Sequence, residues 1–339
     1  MTKWTDVYAR TAFNDDGTYP RQATSSSPDI IPYGINPAEN PDDLFVINNW
    51  DKDLGKTLDA RILNYLYFRV ANLSDKKQTG KLYLYYSRAS MLLYPNFWEN
   101  NVLRTQDGKD YYEFEVDKNG KIVSGTDNKQ GTFVWKPEMI TDDHYCLVGR
   151  IVTLEHPNPV PKTGDIDDFA SFISTNPNYA WRNVTVIDRN SPTASIDVHY
   201  DEGNLDAEIY FMLTCKNLPI GSEVMFSCPT TGPEPLIHME KTKITNPQNQ
   251  VFGVKCHVPS NFVGDITYSY WANGLKPSKD FSITLEAIYI PNENSRLHEL
   301  GVCKPLHTFG LQDEPAANGI GPKVGVRVGQ HRMESKKEE

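Results

Sequence analysis

The residue order predicts a mainly β chain: two tandem β-sandwiches with an extended N-terminal arm and a flexible C-terminal tail. Three observations carry this. Apolar and polar residues alternate with period 2 in many short runs from residue 64 onward. Turn signals separate those runs at sandwich-like spacing. Only Ile166 to Ser174 has convincing helical spacing, with Ile166, Phe169, Ala170 and Ile173 at i, i+3, i+4 and i+7. The length of 339 residues suits two domains of ordinary size.

Residues 1–58 are rich in Pro, Asp, Asn, Ser and Gly. They read as an extended arm anchored by Trp4, Phe45 and Trp50. Residues 59–190 form the first sandwich. Asn64 to Val70 places Leu66, Phe68 and Val70 on one face and Tyr65, Tyr67 and Arg69 on the other. Lys81 to Ser87, Tyr111 to Val116, Phe133 to Trp135 and Tyr145 to Thr153 are further strands. Pro95 forbids a central ladder bond, so Met91 to Trp98 reads as a packed loop with Phe97 and Trp98 turned inward. Asn183 to Ile187 reads as a closing strand, and Asp188 to Pro192 as the boundary. Residues 191–291 give six more strands, from Ser195–Tyr200 to Phe281–Ile288. Residues 292–339 lose the pattern. Arg296 to Leu300 suggests a helical turn, Val324, Val326 and Val328 allow one more strand, and the last ten residues read as disordered.

Four segments resemble the bacterial immunoglobulin-like adhesion modules: Asn64–Leu73, Leu82–Ser87, Leu93–Trp98 and His144–Ile151. In those modules an N-x-Φ-x-V-R-V-x-N strand pairs with an aromatic one, and an H-x-C-L-x-A-R-Φ strand closes the sandwich. Gly149 stands here where Ala is usual, a small-for-small change. The resemblance covers roughly residues 60–187. It implies immunoglobulin-like sandwiches and a non-catalytic role in adhesion, spacing or partner contact.

The formal net charge of -10 argues against a nucleic-acid partner, and no apolar run is long enough to span a membrane. The start, Met1 to Arg10, lacks the apolar core of a secretory signal. The expectation is a protein made in the cytoplasm that either stays there or leaves without a cleaved signal, to become extracellular or particle-associated. Five cysteines form no C-x-x-C pair; a bridge from Cys256 to Cys215 or Cys228 competes with free buried thiols.

The candidate chemistry is sparse. Tyr65, Tyr67, Tyr83 and Tyr85 form a ring row suited to stacking on sugars or to interface contacts. The preferred alternative seats these rings under the arm or against the second domain. Asp201, Glu202, Asn204 and Asp206 cluster hard oxygen donors, as calcium requires, without the EF-hand spacing. Asp165 to Asp168 do so too, but there they read as helix-capping carboxylates. No cofactor is otherwise expected. Cys256–His257 and Cys303 with His307 read as strand cysteines beside surface histidines. No nucleophile elbow or P-loop is present. The expectation is a non-enzymatic recognition or assembly protein, in concrete form a component or cargo of a bacterial export, injection or toxin system. It would have protein partners and self-assemble through arm exchange. A lectin-like glycan binder and a hydrolase with a site near the His156–Phe169 loop are the alternatives.

Overall fold

The computed structural model describes residues 1–22, 25–56, 58–126, 130–138, 145–187, 191–229, 236–315 and 322–335. Strands take 45% of the residues and helices 9%, so the chain is mainly β, as the alternation predicts.

The first half contains β1 (Ile30–Gly34), β2 (Asn64–Asn72), β3 (Gln78–Arg88), β4 (Tyr112–Val116), β5 (Lys121–Val123), β6 (Phe133–Trp135), β7 (Tyr145–Thr153), α1 (Ile166–Thr175) and β8 (Tyr179–Arg182). In one sheet β2 pairs with β1, β5, β6 and the short strand Val7–Tyr8. The other sheet has the order β8-β7-β3-β4. Leu66, Phe68 and Val70 meet Leu82, Leu84, Leu147 and Ile151 between them. Gly149 is more constrained than a small-for-small exchange implies. A Cβ there would lie 2.5 Å from the Phe68 ring, so the ring fills the space an alanine needs.

The arm covers the outer face of β2. Tyr67 is wholly buried and packs with Ile31, Ala38, Phe45 and Val123. Arg69, also wholly buried, donates from Nε to Asp29 Oδ1 at 2.9 Å. Arg10 donates to the same oxygen at 2.5 Å, and the Trp50 ring lies 3.9 Å from the Arg10 guanidinium carbon. The half-buried strand expected at 64–70 is therefore buried on both faces. The arm is seated on its own sandwich.

The second half contains β9 (Val184–Ile187), β10 (Thr193–Asp201), β11 (Ala207–Lys216), β12 (Glu223–Cys228), β13 (Ile237–Lys243), β14 (Asn249–Val258), β15 (Val263–Trp271), β16 (Ser282–Ile290), α2 (Arg296–Glu299) and β17 (Val324–Ser335). Its sheets have the orders β9-β17-β16-β11-β14 and β10-β15-β12-β13. Two expectations are corrected here. The segment read as the closing strand of the first sandwich, β9, instead runs parallel to β17 in the second. Within the segment expected to be irregular, Val324–Ser335 form a twelve-residue strand between β9 and β16, where Val324, Val326 and Val328 allowed one and where residues 330–335 were expected to be disordered. Residues 336–339, the expected boundary residues 188–190 and His144 lie outside the described residues.

The two sandwiches share a core. One apolar cluster runs from Tyr85, Met91 and Trp98 through Ile166, Phe169 and Ile173 of α1 into Val198, Phe211 and Tyr268 of the second sandwich. Asp165 caps α1 by accepting from the Asp168 amide at 2.8 Å, as the sequence predicts. Neither candidate cysteine bridge forms: all five cysteines are thiols outside any disulfide, and the Cys146 Sγ donates to Asn183 Oδ1 at 2.8 Å. Cys215 faces Gln250 across the ladder and Cys256 faces Ile209, several rungs away.

Candidate functional site

A cleft of about 470 Å³ opens where the two sandwiches meet. Tyr86, Ser87 and Arg88 at the end of β3 form one wall. Asp197 and His199 of β10 and Asp265 of β15 form the other, and Phe97 and Asn101 close it. Local chain geometry fixes these walls. After β3 the chain runs on beside β10. The Met91 amide donates to His199 O at 2.7 Å, and the His199 amide donates to Ala89 O at 3.1 Å. Asn183 Nδ2 donates to Ser90 O at 3.1 Å. The cleft is thus bounded by paired backbone and not by a loose linker.

Inside it, His199 and Asp265 are directly opposed across β10 and β15. The His199 Nδ1 lies 3.1 Å from Asp265 Oδ1. Thr267 Oγ1 donates to Asp197 Oδ1 at 2.6 Å, which orients that carboxylate. Phe97 meets the His199 ring edge-on, with centroids 5.8 Å apart. Asn101 Nδ2 donates to Phe97 O at 3.0 Å. Tyr86 stacks on Trp135 at 4.6 Å, and Tyr145 closes on Trp135 edge-on at 4.7 Å. All three rings are half-buried. The cleft therefore combines ring faces with carboxylate, imidazole, amide and guanidinium groups. Among the described residues no serine, threonine or cysteine side chain is hydrogen-bonded to His199; Ser90 Oγ donates to Leu92 O at 2.8 Å.

The residues singled out from the sequence lie elsewhere. Tyr67 is under the arm and Tyr65 packs at the edge of the same cluster. Tyr85 is buried against Trp98 at 5.0 Å, and burial raises its phenol pKa. Tyr83 is half-buried, with the Arg150 guanidinium carbon 5.1 Å from its ring. The four do not make one exposed row. On β3 it is Tyr86 that lines the cleft, on the opposite face from Tyr83 and Tyr85, with its ring also packed on Trp135 at the edge of the first core.

The acidic run 201–206 does not converge either. Asp201 Oδ1 accepts from the Gly203 amide at 2.9 Å, and Asp206 Oδ1 from the Ser260 amide at 2.8 Å. Asn204 is exposed, and its amide donates to Gly164 O at 3.0 Å. Glu202 is wholly buried, and burial pushes its carboxyl up to about 8. Tyr200 donates to its Oε2, while Oε1 has no partner. Among the described residues no three His, Cys, Asp or Glu side chains gather as a metal would need.

The loop expected to carry a hydrolytic site holds a different arrangement. His156 Nδ1 lies 2.6 Å from Asp6 Oδ2, and Trp4 packs on the imidazole at 4.4 Å. This contact ties the arm to the loop. The sequence missed the interdomain cleft because its walls come from positions more than a hundred residues apart. The adjacent Tyr-Tyr pair at 85–86 was its only local signal.

No protein-family model matches the chain, and no curated protein matches it. Among solved structures it is similar to the CFA/I adhesin CfaE (mutant G168D) of enterotoxigenic E. coli. That match has 6% identity and a TM-score of 0.22, covering 99% of this chain and 94% of the adhesin. It is also similar to CBD12 from CALX1.2, at 10% identity and a TM-score of 0.17, covering 79% and 92%. At these scores the likeness assigns neither a family nor an activity.

Proposed function

We propose that the protein is a non-catalytic recognition protein and that the interdomain cleft binds a saccharide. The observation that carries the reading is the lining itself. Tyr86 and Phe97 offer apolar ring surface, and Asp197, Asp265, His199, Asn101 and Arg88 offer planar polar groups at the same opening. A sugar ring presents the matching chemistry, with C–H faces for aromatic rings and hydroxyl groups that both donate and accept. A mostly pre-formed concavity with a few fixed polar groups is the usual form of a small-ligand site. Rigid walls lower the ordering cost of binding.

A glycan-array screen followed by calorimetric titration tests this. Wild type is expected to bind a defined glycan, Tyr86→Ala to bind it at least about tenfold more weakly, and Tyr83→Ala to bind it normally. Array silence, or equal binding by all three proteins, sinks the reading. A binder releases its ligand unchanged, so the recovered glycan should have unaltered mass. The narrower expectation of a component or cargo of a bacterial export, injection or toxin system concerns delivery. Detection of a secreted or particle-bound pool tests it.

A further inference from the structure

The second sandwich has two chemically opposite ends, and we infer that they bind each other between copies of this chain, head to tail. Strand register places the ends. Lys216 pairs with Asn249 and Ser282, and Glu223 pairs with Lys243 and Trp271. These strand termini, with the turns at 217–222, 244–248 and 272–281, make one end. Asp201 pairs with Val263, and Ala207 with Val258. The turns at 202–206 and 259–262, with the segment after Ile290, make the other. Strands of nine or ten residues separate the two ends by about 30 Å.

The first end is basic. Lys216, Lys241, Lys243, Lys276 and Lys279 are all exposed. The acids described there are fewer: Glu223 is paired with Lys241 at 3.1 Å, Glu334 with Arg332 at 3.2 Å, Asp280 accepts from Asn217 Nδ2 at 2.9 Å, and Glu240 is exposed beside Lys241. Two apolar side chains project among the lysines, Ile220 at 61% exposure and Leu275 at 40%. Against a formal net charge of -10 this end stands out.

The opposite end is acidic and also apolar-tipped. Asp206, Glu293 and Glu299 are exposed and Asp201 half-exposed. Arg296 is paired with Asp168 at 2.5 Å, and Lys323, beside Asp206 and Glu293, is paired with Glu208 at 3.5 Å and Glu314 at 3.3 Å. Val263 is 57% exposed and Leu205 45%. Each end thus presents a pair of exposed aliphatic side chains and a surplus of one sign of charge, and the signs are opposite. Complementary charge steers the encounter and rejects like ends, while the aliphatic tips supply contact that salt does not screen. Two different surfaces meeting make a heterologous contact, which propagates to a filament or closes to a ring.

Analytical ultracentrifugation over a concentration series tests the inference. Wild type should show a mass that rises with concentration at low ionic strength and falls toward monomer at high. Lys243→Gln/Lys276→Gln neutralises one end and Asp206→Asn/Glu293→Gln the other. Each double variant alone should stay monomeric. An equimolar mixture should form a 1:1 dimer and nothing larger, because one intact end of each kind remains. Near-UV circular dichroism checks that both variants are folded, and Ile220→Asp, at a fully surface position, should also weaken association. A monomeric wild type at every concentration, self-association of either double variant, or no dimer in the mixture overturns the inference. So does binding of the basic end to phosphatidylserine vesicles by a wild type that does not self-associate.

Discussion

Glu202 is the residue whose chemistry departs furthest from its sequence reading. A run of oxygen donors at 201–206 looks like a cation site, because sequence lists donors without showing where they point. Two of the carboxylates instead accept turn amides, and the third is buried, with the Tyr200 hydroxyl donating to it. Its carboxyl, raised to about 8 from the ordinary 4.5, keeps a proton in the fold that the unfolded chain releases. The fold therefore loses stability as pH rises from about 4.5 to about 8, and no further above that. Glu202→Gln, which stays neutral, should raise stability by on the order of 3 kcal/mol near pH 7 and by little near pH 4. Thermal melts of both proteins across that range check it; a constant difference at all pH values would contradict it.

At the scale of elements, the arm shows how much of a segment is legible. Its Pro-, Gly- and Asn-rich composition marks it as irregular, and Trp4, Phe45 and Trp50 are readable anchors. Its seat is not readable, because alternation assigns Tyr67 and Arg69 to an outward face without saying what covers it. The cover is held by Asp29, whose carboxylate meets Arg10 and Arg69 with all three groups buried. Asp29→Ala leaves two buried guanidinium groups unpaired and should cost about 3–5 kcal/mol. Urea unfolding measures this, and a loss under about 1 kcal/mol would show the arm to be held by its apolar contacts alone. Helix α1 was legible in full, since its spacing and its Asp165 cap are both local. Asp165→Ala should cost about 1 kcal/mol in the same assay.

For the whole molecule, one apolar cluster joins both sandwiches through α1 and the Ala89–Trp98 segment. The two halves should therefore unfold together, in a single calorimetric transition whose van't Hoff and calorimetric enthalpies agree. Two resolved transitions would show that the shared cluster does not couple them. Removing β17 takes out the strand between β9 and β16 and its buried Val326, Val328 and Met333, so a chain ending at residue 323 should lose the second sandwich, seen as lost β signal in far-UV circular dichroism. By itself the sequence determined the mainly β class, most strand positions, the helix and the turn-rich arm. All of these follow from near-neighbour spacing and local backbone preference, which a linear reading contains. Only the tertiary structure decided that β9 belongs to the second sandwich, that the C-terminal segment is a central strand and that Tyr86 faces the interdomain cleft. Those outcomes depend on pairing between residues from tens to more than a hundred positions apart, where the best partner is set by burial and hydrogen bonding in the assembled fold.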